Sequence, residues 1–192
     1  MEKKEIETFC PTNRREWRQW LEENHCSKQA VWLVHYKKKS GRPTISWSEA
    51  VDEALCFGWI DSVRKTLDNE TFIQFFSKRK PNGTWSKVNK EKIRQLIESG
   101  LMTQAGHESI ETAKQNGSWT VLDEVEELII PQALEDELKN YPGAFEFFLS
   151  LSKSVRKAML QWLVLAKQPE TRQKRIKEIA QSAALKQKTK QF

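Results

Sequence analysis

Residues 59–79, WIDSVRKTLDNETFIQFFSKR, decide the fold. Two runs, Trp59 to Leu67 and Glu70 to Arg79, are rich in β-branched and aromatic residues. They meet at Asp68 and Asn69, a pair that tolerates positive φ, so the stretch reads as an antiparallel hairpin. Strand side chains alternate between faces, which predicts Trp59, Asp61, Val63 and Lys65 on one face and Ile60, Ser62 and Arg64 on the other.

On the N-terminal side, Ala30 to Tyr36 is short, apolar and rich in β-branched and aromatic residues, and reads as a further strand ending in Lys37, Lys38 and Lys39. Asn13 and Glu16 have capping-box spacing ahead of Trp17, Trp20 and Leu21, which recur with a helical period over 14–24. Gly41 and Pro43 mark a loop. Ser46 and Glu49 then repeat the capping pattern before a helix over Trp47 to Cys56, stopped by Gly58.

Pro81, Asn82 and Gly83 turn the chain, and beyond Trp85 the pattern is helical. Asn89 is the expected cap of a helix with Val88, Ile93, Leu96 and Ile97 inward and Gly100 past its end. Thr103 caps the next helix, which Gly117 ends. Pro131 sits where a first helical turn tolerates it, and Pro142 separates that helix from Ala144 to Leu149. Ser152 starts a helix carrying Val155, Met159, Trp162, Leu163 and Ala166. Pro169 starts the last one, with Ile176, Ile179 and Ala183 inward. From Lys186 the chain is polar and basic, and a frayed end is expected.

The expected architecture is therefore mainly helical α+β. It has a small antiparallel sheet, strand plus hairpin, covered by helices, in an α+β core domain over 1–120. A C-terminal helical region over 121–192 packs on that core as one compact unit.

The 192 residues are 38% hydrophobic and 30% charged, enough apolar surface for a core under a heavily solvated exterior. Eight tryptophans are many for this length, and most should be core, because the ring is large and needs one hydrogen-bond partner. No run approaches the length of a membrane span, and Met1 to Phe9 holds charges with no apolar segment, so neither a spanning helix nor a signal peptide is expected. Cys10, Cys26 and Cys56 form neither CxxC nor metal spacing, so a reducing cytoplasm, no disulfide framework, no metal and no cofactor are expected.

A net charge of +6 favours anionic partners, and its distribution is uneven. Residues 153–192 carry 11 Lys and Arg against two acids, while residues 121–150 carry eight acids and one Lys.

The run Glu53-Ala54-Leu55-Cys56-Phe57-Gly58-Trp59-Ile60-Asp61-Ser62 resembles the signature of the YdeI/OmpD-associated family, also called bacteriocin-protection proteins. Trp85-Ser86-Lys87-Val88-Asn89, Gly100-Leu101-Met102-Thr103 with Gly106, Gly117-Ser118-Trp119, and Ala166 to Arg172 with Arg175-Ile176 agree with it in order and spacing, from about residue 30 to residue 180. The resemblance implies a bacterial protein tied to envelope stress and antimicrobial-peptide tolerance. It supplies no reaction, cofactor or catalytic residue to carry over.

The candidate ligand site gathers Trp59, Asp61, Arg64 and Lys65 from the first hairpin strand and Arg79, beside Lys78 and Lys80, from the second. Trp85, Ser86, Lys87 and Asn89 follow. A helix N-terminus, a guanidinium fork and a tryptophan face together suit a phosphate, a carboxylate or a stacked base. The competing reading makes Trp59 and Trp85 core, pairs Asp61 with Arg64 or Arg79, and leaves the lysines as a solvated edge.

Arg172, Lys174, Arg175 and Lys177, with Lys186, Lys188 and Lys190, form a second basic cluster able to contact nucleic-acid phosphates. The plainer account packs this helix against the acidic segment Asp123 to Glu137. Cys56 with His35 or His107 is the one nucleophile arrangement the sequence suggests, and Cys56 sits among apolar neighbours where a free Cys is a small hydrophobe.

The expectation is a cytoplasmic, non-enzymatic stress-tolerance protein binding an anionic small molecule or partner. A small-molecule enzyme of unassigned chemistry and a non-specific nucleic-acid binder are the alternatives.

Overall fold

The computed structural model describes residues 6–189, 191 and 192. Met1 to Glu5 and Lys190, both used in the reading above, lie outside the described residues. The first helix, α1 (Arg14–Asn24), begins where Asn13 Oδ1 accepts the Glu16 N–H at 3.1 Å. The Glu16 carboxylate returns to the Thr12 N–H, at 2.8 Å, rather than to that of Asn13. At α2 (Trp47–Cys56) the box is reciprocal: Ser46 Oγ takes the Glu49 N–H at 3.2 Å, and the Glu49 carboxylate takes the Ser46 N–H at 3.0 Å. Each cap satisfies N–H groups that the first helical turn leaves without partners.

The sheet has the order β1-β2-β4-β3, with β1 (Thr8–Phe9), β2 (Ala30–Tyr36), β3 (Trp59–Thr66) and β4 (Thr71–Lys78). The hairpin and its antiparallel partner β2 form as expected, and the two-residue parallel β1 makes the sheet mixed. Asp68 fixes the hairpin turn by accepting the N–H groups of Glu70 and Thr71, both at 2.7 Å. With α3 (Lys87–Glu98), α4 (Gln104–Gln115) and the helices that follow, the protein is a mainly helical α+β protein.

The chain divides into two compact units, Met1–Gly83 with Val88–Trp119 and Thr84–Lys87 with Thr120–Phe192. In the first, α1 and α2 pack together on one face of the sheet. Trp17 is fully buried; its ring centroid is 5.2 Å from Trp20 and 5.4 Å from Phe76, and its N–H donates to the Ala50 carbonyl at 3.0 Å. Beside it, Glu53 of α2 is 2% exposed and bridges Arg14 and Arg18 of α1, the latter at 2.8 Å. A carboxylate is tolerated there because guanidinium groups replace the water it lost.

Gly58 links α2 to β3 with φ +71°, and a Cβ there would stand 3.0 Å from the Ala105 carbonyl oxygen of α4. Only glycine suits both conditions. Thr103 fastens the start of α4 to the end of α2, its hydroxyl donating to the Cys56 carbonyl at 2.6 Å and its N–H to the same oxygen at 3.1 Å. The expected cap at Asn89 is not the observed start, because α3 begins two residues earlier at Lys87. Its buried face is narrower than expected: Ile93 and Leu96 are buried, whereas Val88 and Ile97 are exposed.

The second unit is a helical cluster of α5 (Asp123–Glu126), α6 (Gln132–Lys139), α7 (Ala144–Ser150), α8 (Lys153–Val164) and α9 (Pro169–Ala184). Here α6, α7 and α8 all pack on α9. Leu134, Leu138, Phe148, Met159, Leu163, Ile176 and Ile179 form the middle of its core. Pro169 occupies the first turn of α9 as read, while Pro131 lies just ahead of α6. Beyond α9, Thr189 is buried, and the Phe192 ring sits 6.0 Å from that of Trp162.

One buried group makes stability depend on pH. His35 is 1% exposed, stacks on Phe72 and bonds the Ile45 carbonyl at 3.1 Å. Burial holds its pKa below the ordinary 6.5; the Ile45 bond opposes this and Arg64 adds to it. Unfolded His35 takes up a proton at a pH where the folded ring does not, so its contribution is full above about 6.5 and is lost as the pH falls toward the folded value. Urea unfolding at about pH 7.5 and about pH 5.5 should therefore show a smaller acid loss in His35→Gln than in the wild type. An equally steep loss in both would discard this role.

Candidate functional site

A shifted register near the start of β3 sets the orientation of the expected site residues. Trp59 pairs with Lys78 and Asp61 with Phe76, but after a bulge Arg64 pairs with Gln74 and Lys65 with Ile73. The extra residue exchanges the faces of everything beyond it. Arg64, expected opposite Trp59, lies on its face, with the guanidinium 3.8 Å from the Phe72 ring centroid. Lys65, expected beside Trp59, lies on the other face, 4.9 Å from the Trp32 ring.

Asp61 does not form a hydrogen-bonded ion pair with Arg64; its carboxylate accepts from Trp47 Nε1 at 2.9 Å and Gln74 Nε2 at 3.1 Å. Trp59 is fully buried, with its ring edge-on to Trp20 at 5.8 Å. Trp85 is 2% exposed. The tryptophan faces expected to flank a ligand are therefore core.

Ser86 and Lys87 fall with Trp85 in the second unit. There the Lys87 ammonium pairs with Glu127 at 2.9 Å, and its N–H donates to Glu126 at 3.2 Å. Asn89 is in the first turns of α3.

What the first unit does form is a shallow hollow of about 260 Å³ at the end of the sheet, lined by His25, Cys26, Phe57, Gly58, Trp59, Lys78, Arg79, Ala105, Glu108 and Ser109. Three things bring these together. The Trp59–Lys78 rung closes the hairpin, the Arg79 N–H extends it by donating to the Gly58 carbonyl at 2.9 Å, and Gly58 admits α4. Lys78 Nζ donates to the Cys26 carbonyl at 2.8 Å, so its ammonium is held beside the chain leaving α1. Burial pushes the Arg79 guanidinium down to about 10, with Asp61 opposing. It stays cationic at neutral pH. Glu108 supplies a carboxylate on the α4 side, where it accepts from Gln104 at 3.1 Å.

Of the expected ligand residues, the structure brings Trp59 and Arg79 to this hollow, and it adds His25, Cys26, Glu108 and Ser109. His25 and Cys26 escaped sequence reasoning because a thiol and its base were sought far apart in the chain. They are neighbours, with Sγ 3.2 Å from Nε2. Cys56, by contrast, is fully buried, and burial followed by the nearby Glu53 pushes its thiol up to about 11. It is not an accessible nucleophile. Among the described residues no cluster of three or more His, Cys, Asp or Glu is placed to hold a metal ion.

On α9, Arg172, Lys174 and Lys177 are exposed. Glu170 and Glu178 are interspersed with Lys174 and Lys177 along the shallow hollow they line. Arg175 is held internally, over the Trp162 ring at 4.7 Å and donating to the Trp162 carbonyl. The acidic segment meets α9 through α6, by Leu134 and Leu138; Glu126 instead pairs with Lys157 on α8 at 2.5 Å. Among the described residues no helix is long and apolar enough to cross a membrane.

Two family models match the sequence. Residues 9–109 match one described as Domain of unknown function (DUF8412), and residues 127–186 match one described as Bacteriocin-protection, YdeI or OmpD-Associated. The resemblance read from the sequence thus holds over residues 127–186, while its segments at Glu53 to Ser62, Trp85 to Asn89 and Gly100 to Gly106 lie within the first match. No curated protein and no solved structure matches the chain.

Proposed function

For a chain that belongs to the DUF8412 family and carries YdeI or OmpD-associated sequence in its second part, we propose a non-enzymatic role in the cytoplasm: binding a small anion at the hollow beside Arg79. The observation that carries the reading is the placement of Lys78 and Arg79 together at the end of the hairpin, with the Arg79 side chain withdrawn from water along the hollow's wall. A phosphate or carboxylate fits a guanidinium fork, and the shallowness of the hollow suits a small group rather than a large ligand. The bacteriocin-protection match supports a link to peptide tolerance, which the anion site would serve as a sensor or adaptor. The division into an α+β domain over 1–120 and a helical region over 121–192 belongs to the same proposal, supported by the gap between the two matches.

The test is calorimetric titration with inorganic phosphate, nucleotides, phosphosugars and a short oligonucleotide. A small anion is expected to bind, and Arg79→Ala to weaken it about tenfold to a hundredfold, the loss of charge-assisted hydrogen bonds. Binding that is absent, or unchanged in Arg79→Ala, removes the proposal. Binding confined to the oligonucleotide and lost steeply with salt transfers the role to the basic face of α9.

A further inference from the structure

The hollow contains a nucleophile with its base. His25 closes α1, and its Nδ1 lies 2.9 Å from the Leu21 carbonyl oxygen, an atom that can only accept. That contact therefore places the neutral ring's proton on Nδ1 and leaves Nε2 as an acceptor. Nε2 faces Cys26 Sγ at 3.2 Å, and Cys26 is exposed. A thiol, an acceptor nitrogen within hydrogen-bond reach and a third group orienting that nitrogen form the arrangement that activates a nucleophile. The Phe57 ring, 5.1 Å from the imidazole, fixes its other side. Lys78 and Arg79 line the same hollow and outnumber its one carboxylate, Glu108, so an electrophile bearing negative charge is drawn to the sulfur.

We infer that Cys26 is a reactive thiol that His25 deprotonates and that exchanges with small disulfides bearing carboxylates, which dock on Lys78 and Arg79. The inference rests on the anion reading of this hollow and adds a covalent step to it. The Cys26 proton passes to His25 Nε2 as the sulfur attacks one sulfur of the disulfide. A new S–S bond forms to Cys26, the original S–S bond breaks, and the second sulfur leaves as a thiolate that takes the proton back. No other oxidant is required, and a second thiol reverses the step.

The protein carries its own control. Cys10 is also exposed, while Cys56 is buried. The reduced full chain is exposed to oxidised glutathione, an anionic disulfide, and in parallel to cystamine, a cationic one, with modification at each cysteine followed by peptide mass mapping. Cys26 is expected to react at least about tenfold faster than Cys10 with oxidised glutathione. Relative to Cys10, it should favour oxidised glutathione over cystamine. In His25→Gln the advantage of Cys26 should disappear, and its rate should fall with decreasing pH more steeply than in the wild type.

Equal rates at Cys26 and Cys10, or an unchanged pH profile in His25→Gln, overturn the inference. Fast reaction without preference between the two disulfides overturns its anionic substrate. Phosphate titration of Cys26→Ser separates this failure from that of the site itself. Retained binding with an unreactive Cys26 leaves the anion site standing and the thiol step refuted; lost binding in the wild type as well refutes both.

Discussion

Trp17→Ala is expected to destabilise the first unit by about 4 kcal/mol, within the range for deleting a fully buried tryptophan. The ring is the centre of an aromatic cluster, 5.2 Å from Trp20, 5.4 Å from Phe76 and 6.3 Å from Phe9, so it joins α1 to the strands β1 and β4. Its removal leaves a cavity that three rigid rings cannot fill, and strands the Ala50 carbonyl that its N–H satisfies at 3.0 Å. Trp47→Ala is the comparison. That residue is 49% exposed, and its loss should cost under about 1 kcal/mol, mostly the hydrogen bond to Asp61. Urea unfolding followed by far-ultraviolet circular dichroism measures both. A Trp17→Ala loss below about 1.5 kcal/mol would mean that the cluster relaxes around the gap and does not hold the unit together.

Gly106→Ala is expected to cost about 3 kcal/mol, because the added methyl has nowhere to go. Its Cβ would stand 2.3 Å from the Cys56 carbonyl oxygen and 2.9 Å from the carbonyl carbon. Met102 Cε, at 2.6 Å, can swing aside, but the backbone of α2 cannot. The same carbonyl accepts two bonds from Thr103, so moving α4 away to make room also breaks the tie at its start. Gln104→Ala, two residues before the clash and on the exposed side of α4, should be close to neutral. Displacement of α4 would open the hollow that Ala105, Glu108 and Ser109 line, so Gly106→Ala should also weaken anion binding in whatever fraction stays folded. A stable Gly106→Ala protein with unaltered binding would show that this close approach is not needed.

Local chemistry was legible in the residues themselves. The Ser46 and Glu49 box, the Asn13 cap, the Asp68–Asn69 turn and the proline at the start of α9 depend on neighbours a few positions apart. Those interactions form the same way in any fold that leaves them near the surface. The hairpin itself was readable from its two β-rich runs and the turn residues between them, but its register was not, because it changes by one residue at the bulge. Less was legible wherever a bulge or a distant contact intervened. The alternation from Trp59 onward failed at Arg64 and Lys65, since neither Ser62 nor Val63, where the bulge falls, announces the extra position. The start of α3 moved two residues ahead of Asn89, to Lys87, whose N–H is met by the Glu126 carboxylate rather than by a local cap.

By itself the sequence determined the fold class, the longer helices, the three longer strands with their hairpin, and the positive surplus after Glu146, because each follows from short-range periodicity, capping and composition. Only the tertiary structure decided that Trp59 and Trp85 are core, that Cys56 is sealed, and that His25 and Cys26 share a hollow with Arg79. Burial and proximity depend on which faces the whole chain turns inward. That choice rests on contacts between residues far apart in sequence, such as Gly106 against Cys56, which no local pattern encodes.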